Sequence, residues 1–496
     1  MEIELKLAIL PAAASQLRRH PLVKSLSSAP PLRRRLHNRY YDSADLDLTH
    51  QGYALRLRRV DGRWLQTLKG GGQMEGGLHR REEWEVSVDG DALDLSRFRN
   101  RAAQQVLAPL AGQLQLLFVT DFWRTTWELT TAAGDRIELA LDQGKVRAGG
   151  KQVPISEVEL ELKSGNPLSL YELAVALQQD LPLHPESANK AERGYALYLG
   201  LPPAPAKAEP LALLPAMGAA VALQAIVWNC MAQMQRNEYG LLHLSDPEYL
   251  HQMRVGLRRL RAALGLIRLA QADIVDKPIL RELGWLAERL GPARDWDVFV
   301  TQTLPLLTQK RDAPITHTAE ITRKRRLVSA RRAVASVRYA GLLLRISLWV
   351  TEAKWRTGAV FNKPAIDFAR QTLQHHQRQT RKRGKSTDRP EDLHALRIAV
   401  KKLRYATEFF ESLFDDGASR GYGERLTELQ EVLGRLNDLT VASRLLFELA
   451  KGADLRLQQA LARVQGRLEK LSKQDVKSLR KAWRKFSNED LFWEKC

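Results

Sequence analysis

The sequence predicts an α+β fold in two unlike halves, on three observations. Residues 1–200 are patterned with period two, and turn signals separate the patterned stretches, so strands dominate there. A Pro/Ala stretch over residues 201–210, with Pro202, Pro203, Pro205 and Pro210, then interrupts the chain as a stiff linker without a core of its own. From residue 211 to 496 apolar positions recur at helical spacing, and a block of sequence repeats, which predicts an all-α half built by duplication.

The repeat is specific. His251-x-x-Arg254-x-x-x-Arg258-x-x-Arg261 returns as His394-x-x-Arg397-x-x-x-Lys401-x-x-Arg404, 143 residues later. Leu290-Gly291-x-x-Arg294-Asp295 returns as Leu433-Gly434-x-x-Asn437-Asp438 at the same offset. Two units of 143, residues 211–353 and 354–496, account for the whole second half.

Charge separates the halves further. The chain of 496 residues carries a formal net charge of +20, with a pI near 10.0. Residues 1–200 hold 26 basic and 25 acidic side chains; residues 201–496 hold 51 and 32, a net of +19. A polyanion is therefore expected as a partner of the helical half. With 44% hydrophobic residues, the composition excludes a disordered tail, a collagen-like chain and a disulfide scaffold. The two cysteines, Cys230 and Cys496, offer no structural zinc pattern and fit a reducing cytosol. The longest apolar run, Leu211 to Trp228, is broken by Pro215, Gly218 and Gln224, and reads as a buried helix rather than a span. The alternating start, Met1 to Lys6, has no signal-peptide core. A soluble cytoplasmic protein with no membrane partner is expected.

In the first half the strands concentrate charge on one face, since residues i and i+2 share a side. Glu2, Glu4 and Lys6 oppose Ile3, Leu5 and Leu7. Arg56 and Arg58 oppose Leu55 and Leu57; Arg81, Glu83 and Glu85 oppose Trp84, Val86 and Val88; Arg124 opposes Trp123 and Trp127. Glu138 and Asp142 oppose Ile137, Leu139 and Leu141, and Glu157, Glu159 and Glu161 oppose Val158, Leu160 and Leu162. One such strand is ordinary at a surface. Six, some acidic and some basic, point to a closed or nearly closed barrel that gathers these faces inside and covers its apolar faces with helices. Clustered carboxylates suit Mg²⁺ or Mn²⁺, and Arg and Lys clamp phosphoryl oxygens. No P-loop is present; Gly70-Gly71-Gly72 and Gly76-Gly77 read as a hairpin loop.

Ordered motifs carry a resemblance here. Glu2-x-Glu4-x-Lys6 is followed by Asn38-x-Tyr40-Tyr41-Asp42-Ser43, Gly52-x-x-Leu55-Arg56-x-Arg58, Leu68-Lys69-Gly70, Arg124-x-x-Trp127, Glu157-x-Glu159-x-Glu161-x-Lys163 and Lys190-x-x-Arg193-Gly194. Residues 1–200 thereby resemble the CYTH superfamily, the triphosphate tunnel metalloenzymes. The resemblance implies an eight-stranded antiparallel tunnel with flanking helices that hydrolyses a triphosphate with divalent metal. Metal binding would fall to Glu2, Glu4, Asp142, Glu159 and Glu161, with Glu138 a ligand through water. Lys6, Arg56, Arg58, Lys69, Arg124, Lys190 and Arg193 would line the phosphate path. Catalytic roles would rest on Lys6, Arg58, Glu159 and Glu161, the general base being sought among the last two. Glu83 and Glu85 have a competing role in ion pairs with the arginines.

The helical half resembles the CHAD domain through its repeated stripe. On a helix, His251, Arg254, Arg258 and Arg261 fall within an arc of about 80°. His394, Arg397, Lys401 and Arg404 do the same. Such stacked cations repel unless an anion joins them. The resemblance implies two pseudo-symmetric four-helix bundles that bind inorganic polyphosphate on these eight residues. Asn437, where the first copy has Arg294, breaks the equivalence. Asp295 and Asp438 are read as orienting the arginines or capping helices, His375-His376 as surface, and Trp285, Trp296 and Trp483 as core.

The leading functional expectation is a Mg²⁺- or Mn²⁺-dependent hydrolase converting tripolyphosphate to pyrophosphate and phosphate, fused to a polyphosphate-binding domain that holds the polymer or places the enzyme on polyphosphate granules. Adenylate cyclase and thiamine triphosphatase share the tunnel fold and stand as alternatives. A non-enzymatic polyphosphate or nucleic-acid binder is a third, disfavoured because no helix-turn-helix, RNP or zinc-finger pattern is present.

Overall fold

The computed structural model describes residues 2–75, 78–352, 355, 358–386, 389–414, 416–451 and 453–494; the side chains of Glu2 and of residues 71–75, 78–81, 311, 416, 418 and 472–474 fall outside that description. The chain forms two compact units. The first is residues 1–204 together with 336–352; the second is the remainder.

The first unit is built on nine antiparallel strands: β1 (Glu2–Ile9), β2 (Leu32–Asp42), β3 (Ala54–Val60), β4 (Arg63–Glu75), β5 (Leu78–Val88), β6 (Gln115–Thr130), β7 (Arg136–Ala148), β8 (Lys151–Ser164) and β9 (Leu183–Pro185). Their order is β5-β4-β3-β2-β6-β7-β8-β1-β9, and β5 also pairs with β1. Eight strands therefore close into a ring, and the short ninth adds to β1 at Leu7, Ala8 and Ile9. Local chemistry sets the hairpins. Asp61-Gly62 and Gly149-Gly150, all at positive φ, make two-residue turns whose twist suits adjoining antiparallel strands. The hairpin loop expected at Gly70-Gly71-Gly72 is corrected: β4 continues through it with a register irregularity between Gly70 and Gln73, and residues 76–77 lie outside the described residues.

The alternation sorts the ring into two environments. Leu5, Leu7, Leu139, Leu141, Val158 and Leu160 are buried in the apolar layer outside it. Helices α1 (Ala14–Arg19), α2 (Pro21–Leu26), α3 (Asp47–His50), α4 (Arg101–Leu107) and α5 (Leu168–Gln178) accompany that layer, α5 against β1, β8 and β9. Helix α6 (Lys190–Leu199) follows β9 and packs on β6, β7 and β8. An Asn189–Glu192 capping box starts it. Its Tyr195 joins Tyr40, Phe118, Phe122 and Val146 in an apolar plug. Gly194 is required there, because any β-carbon would collide with the Phe118 ring.

The second unit contains α7 (Ala219–Gln235), α8 (Glu238–His243), α9 (Glu248–Ala270), α10 (Lys277–Val298), a π-turn (Phe299–Thr303), α11 (Leu304–Leu307) and α12 (Ala313–Val334). Helix α13 (Val337–Glu352) returns to the first unit, packing on α5 and β9, although the repeat counts it with the helical half. Helices α14 (Ala365–Arg383), α15 (Pro390–Phe410), α16 (Asp416–Ala450) and α17 (Leu455–Ser487) complete the second unit. Shifted by 143, α7, α9, α10 and α12 overlay the positions of α14, α15, α16 and α17, so each copy supplies four long helices. The copies meet where α9 touches α15 and α10 touches α16. No single helix among the described residues is long and apolar enough to cross a membrane.

Candidate active site and anion cavity

Register places the charged residues of the ring in rows, because directly paired residues share a face. Glu4 opposes Glu161, which opposes Glu138, which opposes Glu128. Two residues along, Lys6 opposes Glu159. Two further, Glu157 opposes Asp142, Asp142 opposes Arg124, and Arg124 opposes Arg34. One row is thus wholly acidic, and the other two set carboxylates beside cations around one interior.

The deepest layer is an ion-pair network. Arg124 donates bidentately to Asp142, at 2.8 and 2.6 Å, and reaches Glu159 as well. Lys190, from α6, lies 2.6 Å from Asp142 and 2.8 Å from Glu159, and also pairs with Glu157. Arg193 pairs with Glu157. Lys6 lies 2.7 Å from Glu4 and 3.8 Å from Glu159. Burial alone would push Lys6 and Lys190 down, yet the surrounding carboxylates raise both above their ordinary values. Burial would likewise raise Glu159, but Lys190, Arg124 and Lys6 hold it well below the usual carboxylate range. Glu159 is therefore firmly ionised and a weak proton acceptor.

A second cationic group lies on β3 and β4. Arg56 donates to Thr67 and Glu83, each at 3.3 Å, and lies 3.7 Å from Glu85. Lys69 lies 2.9 Å from Glu83. Glu83 and Glu85 thus hold cations, the competing role foreseen for them. Arg58 differs: its Nε donates to Asn38 Oδ1 at 2.6 Å, and burial, with Arg56 and Arg124 nearby, lowers its pKa. Its environment favours an added anion. Beside it opens a cavity of about 370 Å³, lined by Leu36, Arg58, Arg124, Glu138, Arg34 and Thr126 among others.

Most of the tunnel residues expected from sequence lie in these groups. Glu2 lies outside the described side chains. Glu161 stands apart from the Asp142–Glu159 layer, 2.7 Å from Lys163. Two participants were missed. Glu157 is buried and belongs with Asp142 and Glu159; each of the three offers an oxygen within 4.8 Å of the others'. Its place on the Glu157-x-Glu159-x-Glu161 face was the available signal. Arg34 is the other, signalled only by its even spacing from Asn38 on β2. As a donor set, three clustered carboxylate oxygens with Glu4 close by suit a hard divalent cation.

In the helical unit the two copies of the stripe converge on one cavity of about 270 Å³. His251, Arg254, Arg258 and Arg294 enter from the first copy, and Arg397, Lys401, Asn437 and Asp438 from the second. The π-turn supplies Phe299, Gln302 and Thr303, local unwinding of a kind often found at functional sites. Arg254 lies 3.4 Å from Asp295, which also accepts from Arg444 at 3.1 Å. Burial, then the neighbouring cations, lower His251, Arg254 and Arg397, and push Lys401 down to about 7. Burial raises Asp438. Arg261 and His394 are exposed and do not line the cavity, while Arg404 pairs with Glu408 at 3.4 Å. The surface reading of His376 is corrected: it is buried on α14, and burial pushes its pKa down to about 4. Trp296 is core, as expected.

A closed antiparallel ring filled with paired carboxylates and cations, followed by a duplicated helical unit with a basic cavity of its own, defines a two-domain class of protein. Residues 1–195 match the CYTH domain and residues 225–447 the CHAD domain. The chain belongs to both families, a CYTH domain followed by a CHAD domain. The inorganic triphosphatase of Haemophilus influenzae is 38% identical over 197 residues, which are 40% of this chain and 54% of that protein. The chain thus spans about half the length of this curated relative. The crystal structure of the CHAD domain from the plant Ricinus communis is 35% identical, with a TM-score of 0.52 over 56% of this chain and 96% of that one. A Hippeastrum protein, described as a putative adenylyl cyclase with a dominant triphosphatase activity, aligns at 19% identity over 41% of this chain and 97% of its own. Its TM-score is 0.30.

Proposed function

We propose that this protein hydrolyses inorganic triphosphate inside the CYTH ring and binds inorganic polyphosphate in the CHAD cavity. One observation carries the first part. Lys6, Arg56, Arg58, Lys69, Arg124, Lys190 and Arg193 surround one interior with Glu4, Asp142, Glu157 and Glu159 among them. The identity to an inorganic triphosphatase supports the choice of substrate.

Phosphoryl transfer needs charge neutralisation and in-line positioning more than covalent chemistry from the protein. In this reading Arg58, the cation that most favours an added anion, takes a phosphoryl oxygen. Arg56, Lys69 and Lys6 exchange part of their carboxylate contacts for phosphate. Arg124 and Lys190 hold Asp142, Glu157 and Glu159 in place. A divalent cation, Mg²⁺ or Mn²⁺, would be held by Glu4, Asp142, Glu157 and Glu159, with Glu2 and Glu161 as further candidates, and would supply Lewis-acid charge stabilisation. Glu161 is the better choice of proton acceptor, because Glu159 is committed to three cations.

In the CHAD unit, Arg254, Arg258, Arg294, Arg397, Lys401 and His251 form the polyphosphate site, with Arg261, His394 and Arg404 outside the cavity extending its path. The cytoplasm, on polyphosphate granules, is the location this reading proposes. The deciding experiment is phosphate release from tripolyphosphate, ATP, thiamine triphosphate and long-chain polyphosphate with Mg²⁺ or Mn²⁺, scoring orthophosphate, pyrophosphate and cyclic AMP separately. Selective release from tripolyphosphate is expected; cyclic AMP from ATP, or no product at all, would sink the proposal.

A further inference from the structure

Arg34 lines the tunnel but has no part in the triphosphate hydrolysis proposed above. It lies on β2 directly opposite Arg124 of β6, so the two side chains share the interior face of the ring. Like charges in that register repel, and each arginine is drawn to a different acid. Arg124 is held by the buried Asp142 and by Glu159. Arg34 is held by Asp61, at 3.4 Å, and both side chains of that pair are about half exposed or more. A pair so exposed to water is weak and readily exchanged. Asp61 stands in the two-residue turn between β3 and β4, at the rim of the ring.

Arg34 also lines the 370 Å³ cavity that Arg58 and Arg124 line from deeper in. On β2, Arg34 lies four positions before Asn38, the residue that accepts the hydrogen bond from Arg58. That places the Arg34 backbone about 13 Å along the strand from the Arg58 anchor. Exposed Glu128 and half-exposed Leu32 also line the cavity, so this end of it opens outward.

We propose that Arg34 is a specificity-determining residue for chain length: it leaves Asp61 to bind phosphate that protrudes beyond the units held by Arg58 and Arg124. The substrate class it selects is a linear inorganic phosphate chain longer than three units. This rests on the triphosphatase reading of the same tunnel. The exchange is electrostatically even, one exposed carboxylate partner for one phosphate, and it relieves the repulsion from Arg124 by placing an anion between the two guanidinium groups.

The test is steady-state phosphate release by the full chain from tripolyphosphate and from tetrapolyphosphate, for wild type, Arg34→Ala and Asp61→Asn. Arg34→Ala should raise the ratio of the tetrapolyphosphate KM to the tripolyphosphate KM about tenfold, with an unchanged melting temperature. Asp61→Asn, which frees Arg34, should lower that ratio. A ratio that moves in neither variant, or KM values that rise equally on both substrates, overturns the inference while leaving the triphosphatase reading standing. Wild-type protein that releases phosphate from neither substrate overturns the reading, and the inference with it.

Discussion

The Lys190 ammonium lies 2.6 Å from the fully buried Asp142 carboxylate. A helix that plugs the ring thus supplies the counter-charge for carboxylates that come from two strands. Without it, Arg124 and Arg193 would face the three buried carboxylates Asp142, Glu157 and Glu159, leaving one negative charge uncompensated, which is costly. Lys190→Met should therefore lower stability by about 3–5 kcal/mol, the range for an uncompensated buried charge. It should also increase the protection given by Mg²⁺ or Mn²⁺, since the cation would take over part of the lost neutralisation. Thermal unfolding with and without chelator checks this; equal melting temperatures for wild type and variant would refute it.

Arg58 separates binding of the reacting phosphate from scaffolding. Its Nε is fixed by Asn38, and its surroundings are short of negative charge. Arg58→Ala should reduce kcat/KM for tripolyphosphate by about 10²–10³, as for loss of a donor aimed at developing charge. Glu4→Gln should act mainly on the metal dependence, shifting the activating Mg²⁺ or Mn²⁺ concentration upward. Wild-type turnover in both variants would show that the chemistry lies elsewhere.

Lys401 should make the CHAD cavity sensitive to pH. Burial, together with Arg397, Arg258 and Arg254, pushes its pKa down to about 7. The folded protein therefore holds this proton less tightly than the unfolded chain, whose lysine titrates near 10.5. The resulting stability burden is absent above pH 10.5, grows as pH falls through that range and is complete below about 7. Lys401→Met should raise the melting temperature most at pH 6 and progressively less toward pH 10. Polyphosphate binding should weaken in wild type as pH rises through 7, and binding near pH 7 should take up protons, measurable by titration calorimetry in buffers of different ionisation enthalpy.

Charge reversal at Arg254, Arg258, Arg397 and Lys401 should abolish binding of long-chain polyphosphate while sparing hydrolysis of tripolyphosphate. Filter binding of the polymer and phosphate release read the two activities separately. Loss of both would mean that the CHAD cavity takes part in the tunnel chemistry.

Helix α13 should matter to the CYTH unit rather than to the anion cavity. Its Leu343 is fully buried, Tyr339 packs 5.8 Å from the His184 ring of β9, and Gln178 of α5 donates to the Val337 carbonyl at 2.8 Å. Leu343→Ala should cost about 2–5 kcal/mol. Heat inactivation of phosphate release should occur at a lower temperature, with polymer binding at 25 °C retained. Unchanged heat inactivation would count against this role.

Much of the site was legible before the fold was seen, for a physical reason. A strand shows its faces in its own sequence, with period two, so Glu4, Lys6, Arg56, Arg58, Arg124, Asp142 and Glu159 could be sorted inward by counting. A duplicated helix shows its stripe by repetition, so His251 to Arg261 and His394 to Arg404 stood out together. The sequence by itself determined the two families, the duplication and which charges share a face. Only the tertiary structure decided which of those charges meet. Register and closure of the ring put Glu157 with Asp142 and left Glu161 beside Lys163. Helix packing brought His251, Arg254 and Arg258 against Arg397 and Lys401 but left Arg261 and His394 outside. It also returned α13 to the CYTH unit. Partnership across elements is set by backbone pairing and side-chain packing over long chain separations, which no local period records.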